Sequence, residues 1–253
     1  MKHRTIVGVM CLAAVALCAS STWADDAQNR ASSRARALVQ QLRDELRPVE
    51  AQIRSQAYLG ALERGEVSRA NLRAFAGEQY NIIRKDLRSG AMMLSRFGTD
   101  PASRKFFQDN VDGEASALGL ILDFAKALGM TEQDLQTYEP RALAQAYPSY
   151  VTSITLQESE AAVAAAYLLN FPVFGENTGR MGAALRGVYG LSETDTAFFT
   201  FFGSLPSNFE PDALAAIAAG LARGVSTAEI RRSARLLQAN ELFFWQAVAS
   251  DPP

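Results

Sequence analysis

Two acidic residues fall where a helix would bury them. A helix turns 100° per residue, so over residues 68–97 Leu72, Phe75, Ile82, Ile83, Gly90, Met93 and Phe97 define one apolar arc. Gln79 and Asp86 project into the middle of that arc, and Glu78 and Lys85 project to its edge. Towards the carboxyl end, Ile230, Ala234, Leu237, Phe244, Trp245 and Val248 share a face with Glu241 at its centre. On the helix through Tyr150, Gln157 sits among Tyr150, Ile154, Ala161 and Leu168. A carboxylate hemmed by Phe244 and Trp245 is placed to have a raised pKa, which is how proteins prepare an acid or a base. An unpaired charge in a core is costly, so Asp86 needs an arginine partner, a raised pKa or a wet cavity beside it. Inward polar groups on separate helices point to a polar-floored pocket inside a bundle. Glu241 and Asp86 are its candidate catalytic groups, Gln79, Tyr80, Tyr150, Gln157 and Trp245 its candidate lining, and Glu78 and Lys85 lie at its edge. For each carboxylate the competing reading is a buried ion pair or a structural hydrogen bond.

The rest of the inventory narrows the chemistry. The single histidine is His3 and the two cysteines are Cys11 and Cys18, so beyond residue 18 the chain of 253 residues has neither imidazole nor thiol. Without them, iron, zinc and haem have no usual protein anchor, no thiolate can attack a substrate, and the expectation is no metal and no cofactor. Lys2, His3 and Arg4 followed by the acid-free apolar run from Thr5 to Ala19, with small residues at Thr22 and Ala24, read as a signal peptide over residues 1–24. The apolar run is too short to span a bilayer, so the processed chain is expected in the periplasm or outside the cell, with no stable membrane insertion. Processing moves the formal charge from −2 to −4, because Lys2 and Arg4 leave and no acid does. A mildly acidic chain gives no reason to expect a nucleic-acid partner.

Helices must position these groups. No stretch alternates with period two, while Ala, Leu, Arg, Glu and Gln dominate and apolar residues recur at three and four, so the chain reads as all-α in a single domain. Residues 25–55 form an amino-terminal helical segment, frayed and interrupted at Pro48, and residues 56–250 form the helical domain. Ser68 opens a helix that Gly98 ends, and a restart follows near Pro101. Further helices are predicted near 112–128, 131–137, 141–170, 172–187, 193–203 and 211–223. The last runs from Ser226, where Ser226-Thr227-Ala228-Glu229 has capping-box spacing, to about Ser250.

Three stretches resemble the TenA and PqqC superfamily, over roughly Gln56 to Ala247. Leu72-Arg-Ala-Phe-Ala-Gly-Glu-Gln-Tyr80 followed by Ile83-Arg-Lys85-Asp86 is similar to the second core helix, with Lys85-Asp86 closest to the PqqC branch. Asp109-Asn-Val-Asp-Gly-Glu114 is similar to the segment leading into the next core helix. Glu241-Leu-Phe-Phe244-Trp245 resembles the TenA Glu-x-x-Phe-Trp, whose glutamate is a catalytic acid. The resemblance implies a haem-oxygenase-like multi-helical bundle and association into homo-oligomers. The departures are as informative. Leu169-Asn-Phe-Pro-Val-Phe174 lacks the cysteine nucleophile of the thiaminase branch, and the Glu-x6-His spacing of the di-iron branch reads Glu78-x6-Lys85.

Three functions stay open at this level. One is an exported protein holding a small, planar heteroaromatic molecule among Tyr80, Tyr150 and Trp245, oriented by Glu241. A second is a hydrolase or cofactor-free oxidase working with Glu241 and Asp86 alone. The third is a helical interaction protein whose inward polar groups are structural. Export is checked directly: amino-terminal sequencing of protein recovered outside the cytoplasm is expected to begin at Asp25, and Met1 found in a cytoplasmic fraction would contradict it.

Overall fold

The computed structural model describes residues 8–250, with side chains from Ala27 onward, so the side chains of the expected leader lie outside the described residues. Ten helices and no strand occur among the described residues. They are α1 (Gly8–Arg54), α2 (Ala57–Glu63), α3 (Arg69–Phe97), α4 (Pro101–Ala127), α5 (Glu132–Gln136), α6 (Ala146–Gln157), α7 (Glu160–Gly187), α8 (Ala197–Phe202), α9 (Phe209–Ala222) and α10 (Thr227–Val248). Among the described residues, no helix is long and apolar enough to cross a membrane.

Local sequence explains most of the boundaries. Ser68 accepts a hydrogen bond from the Asn71 amide at 3.1 Å to open α3, and Gly98 closes it. Asp100 accepts from the Ser103 amide at 2.8 Å, and Pro101 fills the first turn of α4, where no amide donor is needed. Ser159 caps α7 and Ser226 caps α10. The capping box expected at Ser226 does not form. Glu229 instead accepts from the Ser159 amide at 2.8 Å and so ties the first turn of α10 to the start of α7.

Four other expectations are corrected. The segment expected to begin a helix near 112 is the middle of α4, because α4 runs unbroken from its proline. The expected 141–170 helix breaks at Glu158, where the chain becomes extended and Ser159 starts a new helix in a different phase. The new helix then runs straight through Pro172. Pro172 has no amide to give the Leu168 carbonyl, but the neighbouring Leu169 carbonyl gains a tertiary donor, Gln238 Nε2 at 3.0 Å. Pro48 is likewise carried inside α1. There Ala31, Ala35, Leu38, Val39, Leu42, Leu46 and Ile53 are buried, so this face of α1 belongs to the common core.

The bundle is organised around α7, buried on nearly every side, whose Ala161 to Ala166 are wholly inside. It packs against α9, α10, α8 and α1, while α3 packs mainly on α4 and α6. Small residues let the helices approach. At Gly175 an added Cβ would lie 2.5 Å from the Phe202 carbonyl oxygen, so the end of α8 can rest on α7 only over a glycine. Gly175→Ala is therefore expected to push Phe202 off α7 and to lower the unfolding free energy by about 1–3 kcal/mol in a denaturant titration.

Candidate functional site

Six of these helices meet around a small cavity enclosing about 30 Å3 of free space. Helix α3 contributes Gln79, Ile82, Ile83 and Asp86; α4 contributes Glu114; α6, Tyr147; α7, Asn170, Phe171 and Phe174; α10, Glu241 and Phe244. Phe202 at the end of α8 closes it. The volume holds a water molecule or a small polar group, since a water needs only about 10–15 Å3 measured this way.

Three carboxyl groups border this cavity. Asp86 and Glu114 are 9% exposed and Glu241 is 3% exposed. No arginine or lysine lines the cavity, which removes the ion-pair reading for the two sequence candidates. Glu241 is held on both oxygens: Oε1 accepts from the Trp245 indole Nε1 at 2.7 Å and Oε2 from Asn170 Nδ2 at 3.2 Å. Burial nonetheless pushes Glu241 up to about 7, with those two donors opposing the shift. Burial also pushes Glu114 up to about 8. Asp86 lies well above the usual carboxylate range, first through burial and then through the neighbouring charge of Glu114, against the pull of Lys85. One Asp86 oxygen, Oδ1, has no hydrogen-bond partner.

Asn170 joins the pieces. It accepts from the Tyr147 hydroxyl at 3.0 Å and donates to Gln238 Oε1 at 3.0 Å as well as to Glu241. Gln238 in turn donates to Glu50 at 3.2 Å, and Glu50 pairs with Arg54 at 3.1 Å, so the network runs from the cavity to the surface of α1. Tyr147 is buried beside these acids, and burial holds its hydroxyl protonated. Aromatic rings form the outer wall of the site, with Phe174 against Phe202 at 5.1 Å and Phe244 against Trp245 at 5.4 Å.

The sequence candidates divide into two groups. Asp86, Gln79 and Glu241 line the cavity, and Trp245 supports Glu241 from behind. The other five lie elsewhere. Glu78 is fully buried and accepts from the Tyr138 hydroxyl at 2.9 Å, the Arg141 amide at 2.8 Å and Gln145 Nε2 at 2.8 Å. Lys85 donates to Gln145 Oε1 at 2.8 Å, so the pair clamps α3 to the segment before α6. Tyr80 is buried under the Arg84 guanidinium, 5.1 Å from its ring centre, and does not reach the cavity. Tyr150 is half-buried on the flank of α6. Gln157 is exposed at the last turn of α6 and bonds Ser153, because the break at Glu158 ends the helix whose phase placed it inward. Tyr80, Tyr150 and Trp245 thus do not enclose one ligand.

Glu114, Asn170 and Tyr147 were not among the candidates. Glu114 shares a lane with Phe107, Ile121 and Leu128, seven residues apart, visible once α4 is read as one helix. Asn170 becomes visible once α7 is carried through Pro172. Among the described residues, no group of three or more histidines, cysteines or acids is arranged to hold a metal ion. The di-iron positions do not fit a metal either: Glu78 is consumed by three donors and Lys85 offers an ammonium.

A search among curated protein sequences finds no match. A TenA homologue from Pseudomonas syringae superposes with a TM-score of 0.69 at 16% identity, over 84% of this chain and 93% of that one. A TenA homologue from Pyrococcus furiosus gives 0.67 at 16% identity, over 83% and 99%. A domain of unknown function with a haem-oxygenase-like fold from Shewanella denitrificans gives 0.62 at 13% identity, over 85% and 89%. The model of the TENA/THI-4/PQQC family matches residues 43–200, and with the haem-oxygenase-like bundle shared by these structures the chain belongs to that family.

Proposed function

We propose that this protein is an exported small-molecule-binding member of the family, which receives a polar or cationic group of its ligand at Asp86, Glu114 and Glu241. One observation carries the reading: three carboxyl groups from three helices border one cavity that no arginine or lysine lines. A cavity that only stabilised the fold would leave these acids paired, because unpaired buried carboxyls cost stability that apolar residues would not. Covalent thiaminase chemistry has no nucleophile here, since every thiol lies at or before Cys18. A second reading, acid–base turnover without cofactor, is supported by Glu241 rising to about 7 beside an Asp86 that burial also raises. Turnover by the wild-type protein, lost in Glu241→Gln and in Asp86→Asn, would decide for it.

Two measurements test the site. The folded-state pKa of Glu241 lies above its ordinary value of 4.5, so between about pH 4.5 and pH 7 the folded state binds more protons than the unfolded state. The stability that Glu241 confers is complete at the acid end of this window and is lost as pH rises through it, a difference of about 3 kcal/mol for a shift of this size. Subtracting the Glu241→Gln stability curve from the wild-type curve isolates that slope from the surface carboxylates. A flat difference curve would place Glu241 in ordinary solvent contact.

The second measurement is native mass spectrometry of protein purified from its own compartment. A bound small molecule is expected on the wild-type protein and absent from Glu241→Gln. At pH 7 that variant should lose no more than about 1–2 kcal/mol of stability, the scale of a buried hydrogen bond. A loss of about 3–5 kcal/mol would show instead that a partner charge had been stranded.

A further inference from the structure

Behind Glu114, Phe171 and Phe202, which it shares with the inner cavity as a common wall, lies a second pocket of about 410 Å3. This is within the size range of small-molecule sites. Its walls are aromatic: Phe171 stacks flat on Phe209 at 5.5 Å, Phe106 leans on Phe209 at 5.8 Å, and Phe201 and Leu205 close the far side. Every charged side chain in the lining is acidic. At the rim, Asp109 and Asp212 are both bonded by Lys105, at 2.8 and 2.9 Å, and by Asn208, at 2.9 and 2.7 Å, while Asp112 accepts from Gln108 at 3.0 Å. Glu114 differs from all three. It is nine-tenths buried and, among the described residues, accepts no hydrogen bond and meets no cation.

A carboxyl group left alone at the inner end of an aromatic pocket lacks the donor that burial requires, and a bound molecule can bring it. We propose that this outer pocket binds an apolar amine, with the hydrocarbon or aryl body among the phenylalanines and the protonated nitrogen against Glu114. The opposite amphiphile is disfavoured, because a fatty carboxylate would set its charge against Glu114 with no arginine or lysine in the lining to neutralise either. The inference rests on the reading of the carboxylate cavity as part of a ligand site, but it uses Glu114 and not Glu241.

Calorimetric titration of the purified protein at pH 9, where Glu114, pushed up to about 8 by burial, is ionised and octylamine is still a cation, with n-octylamine, 1-octanol and octanoate tests it. Octylamine is expected to bind about tenfold or more tighter than octanol, the effect of a hydrogen bond to a charged group, and octanoate to bind weakest. Glu114→Gln should bring octylamine to within about threefold of octanol, since only the charge has gone. Gly113→Leu should abolish binding of both. A Cβ at Gly113 would meet only the Phe201 ring edge, at 3.9 Å, so the added side chain fills the pocket without displacing α4. Absence of octylamine binding, octanol or octanoate binding as well as octylamine, an amine preference kept by Glu114→Gln, or binding kept by Gly113→Leu would each overturn the proposal. Glu241→Gln separates the two readings: octylamine binding that survives in it while failing in Glu114→Gln upholds the outer pocket even if the role given to Glu241 fails.

Discussion

The structure turns on the burial of three carboxyl groups that no arginine or lysine of the cavity wall neutralises. Burial of this kind is tolerated only if the acids hold their protons, find donors or border water, and each of the three takes a different course. Glu241 finds donors in Trp245 and Asn170. Asp86 and Glu114 are pushed upward together, one by the other's charge as well as by burial. The result is a cavity with one acid anchored by two donors and two acids, Asp86 and Glu114, to which no described side chain donates.

The arrangement depends on α7. Because this helix, rich in its own alanines, is enclosed on nearly all sides, a single asparagine on it can touch α6 and α10 at once. Asn170 uses its acceptor for Tyr147 and its two donors for Gln238 and Glu241, leaving little freedom to rotate. Pro172 two residues later and Gln238 on the Leu169 carbonyl belong to the same region, where the helix ladder is locally opened and a side chain from α10 enters it. The site is thus built on a rigid central element and not on a loop, a placement that preorganises it.

The chemical inventory and the geometry fit together. Beyond residue 18 the chain has neither histidine nor cysteine, and the polar groups that surround the cavity are carboxyls, amides and one tyrosine hydroxyl, set among aromatic rings and two isoleucines. The family relatives show the fold at identities of 13–16%, a level at which the helical frame persists while the groups it carries diverge. Here Glu78 and Lys85 both bond Gln145 and so clamp α3 to the segment before α6.

The amino-acid sequence alone determined the helical class, the ends of α3 and the inward placement of Asp86, Gln79, Glu241 and Trp245. Each of these follows from a continuous apolar stripe or a capping residue within one uninterrupted helix, and such patterns are local. The sequence could not place Gln157 or Tyr150, because a projection holds only while the helix does, and the extended Glu158 reset the phase between α6 and α7. Prolines misled in the other direction: Pro48 and Pro172 read as breaks, yet both helices continue. In α7, burial on all sides and a tertiary donor beside the open carbonyl outweigh the missing hydrogen bond. Which acids would share a cavity was decided only by tertiary packing. Glu114, Asn170 and Tyr147 come from three helices whose relative rotation no single stripe encodes, and the identity of a buried carboxyl's neighbours sets its charge.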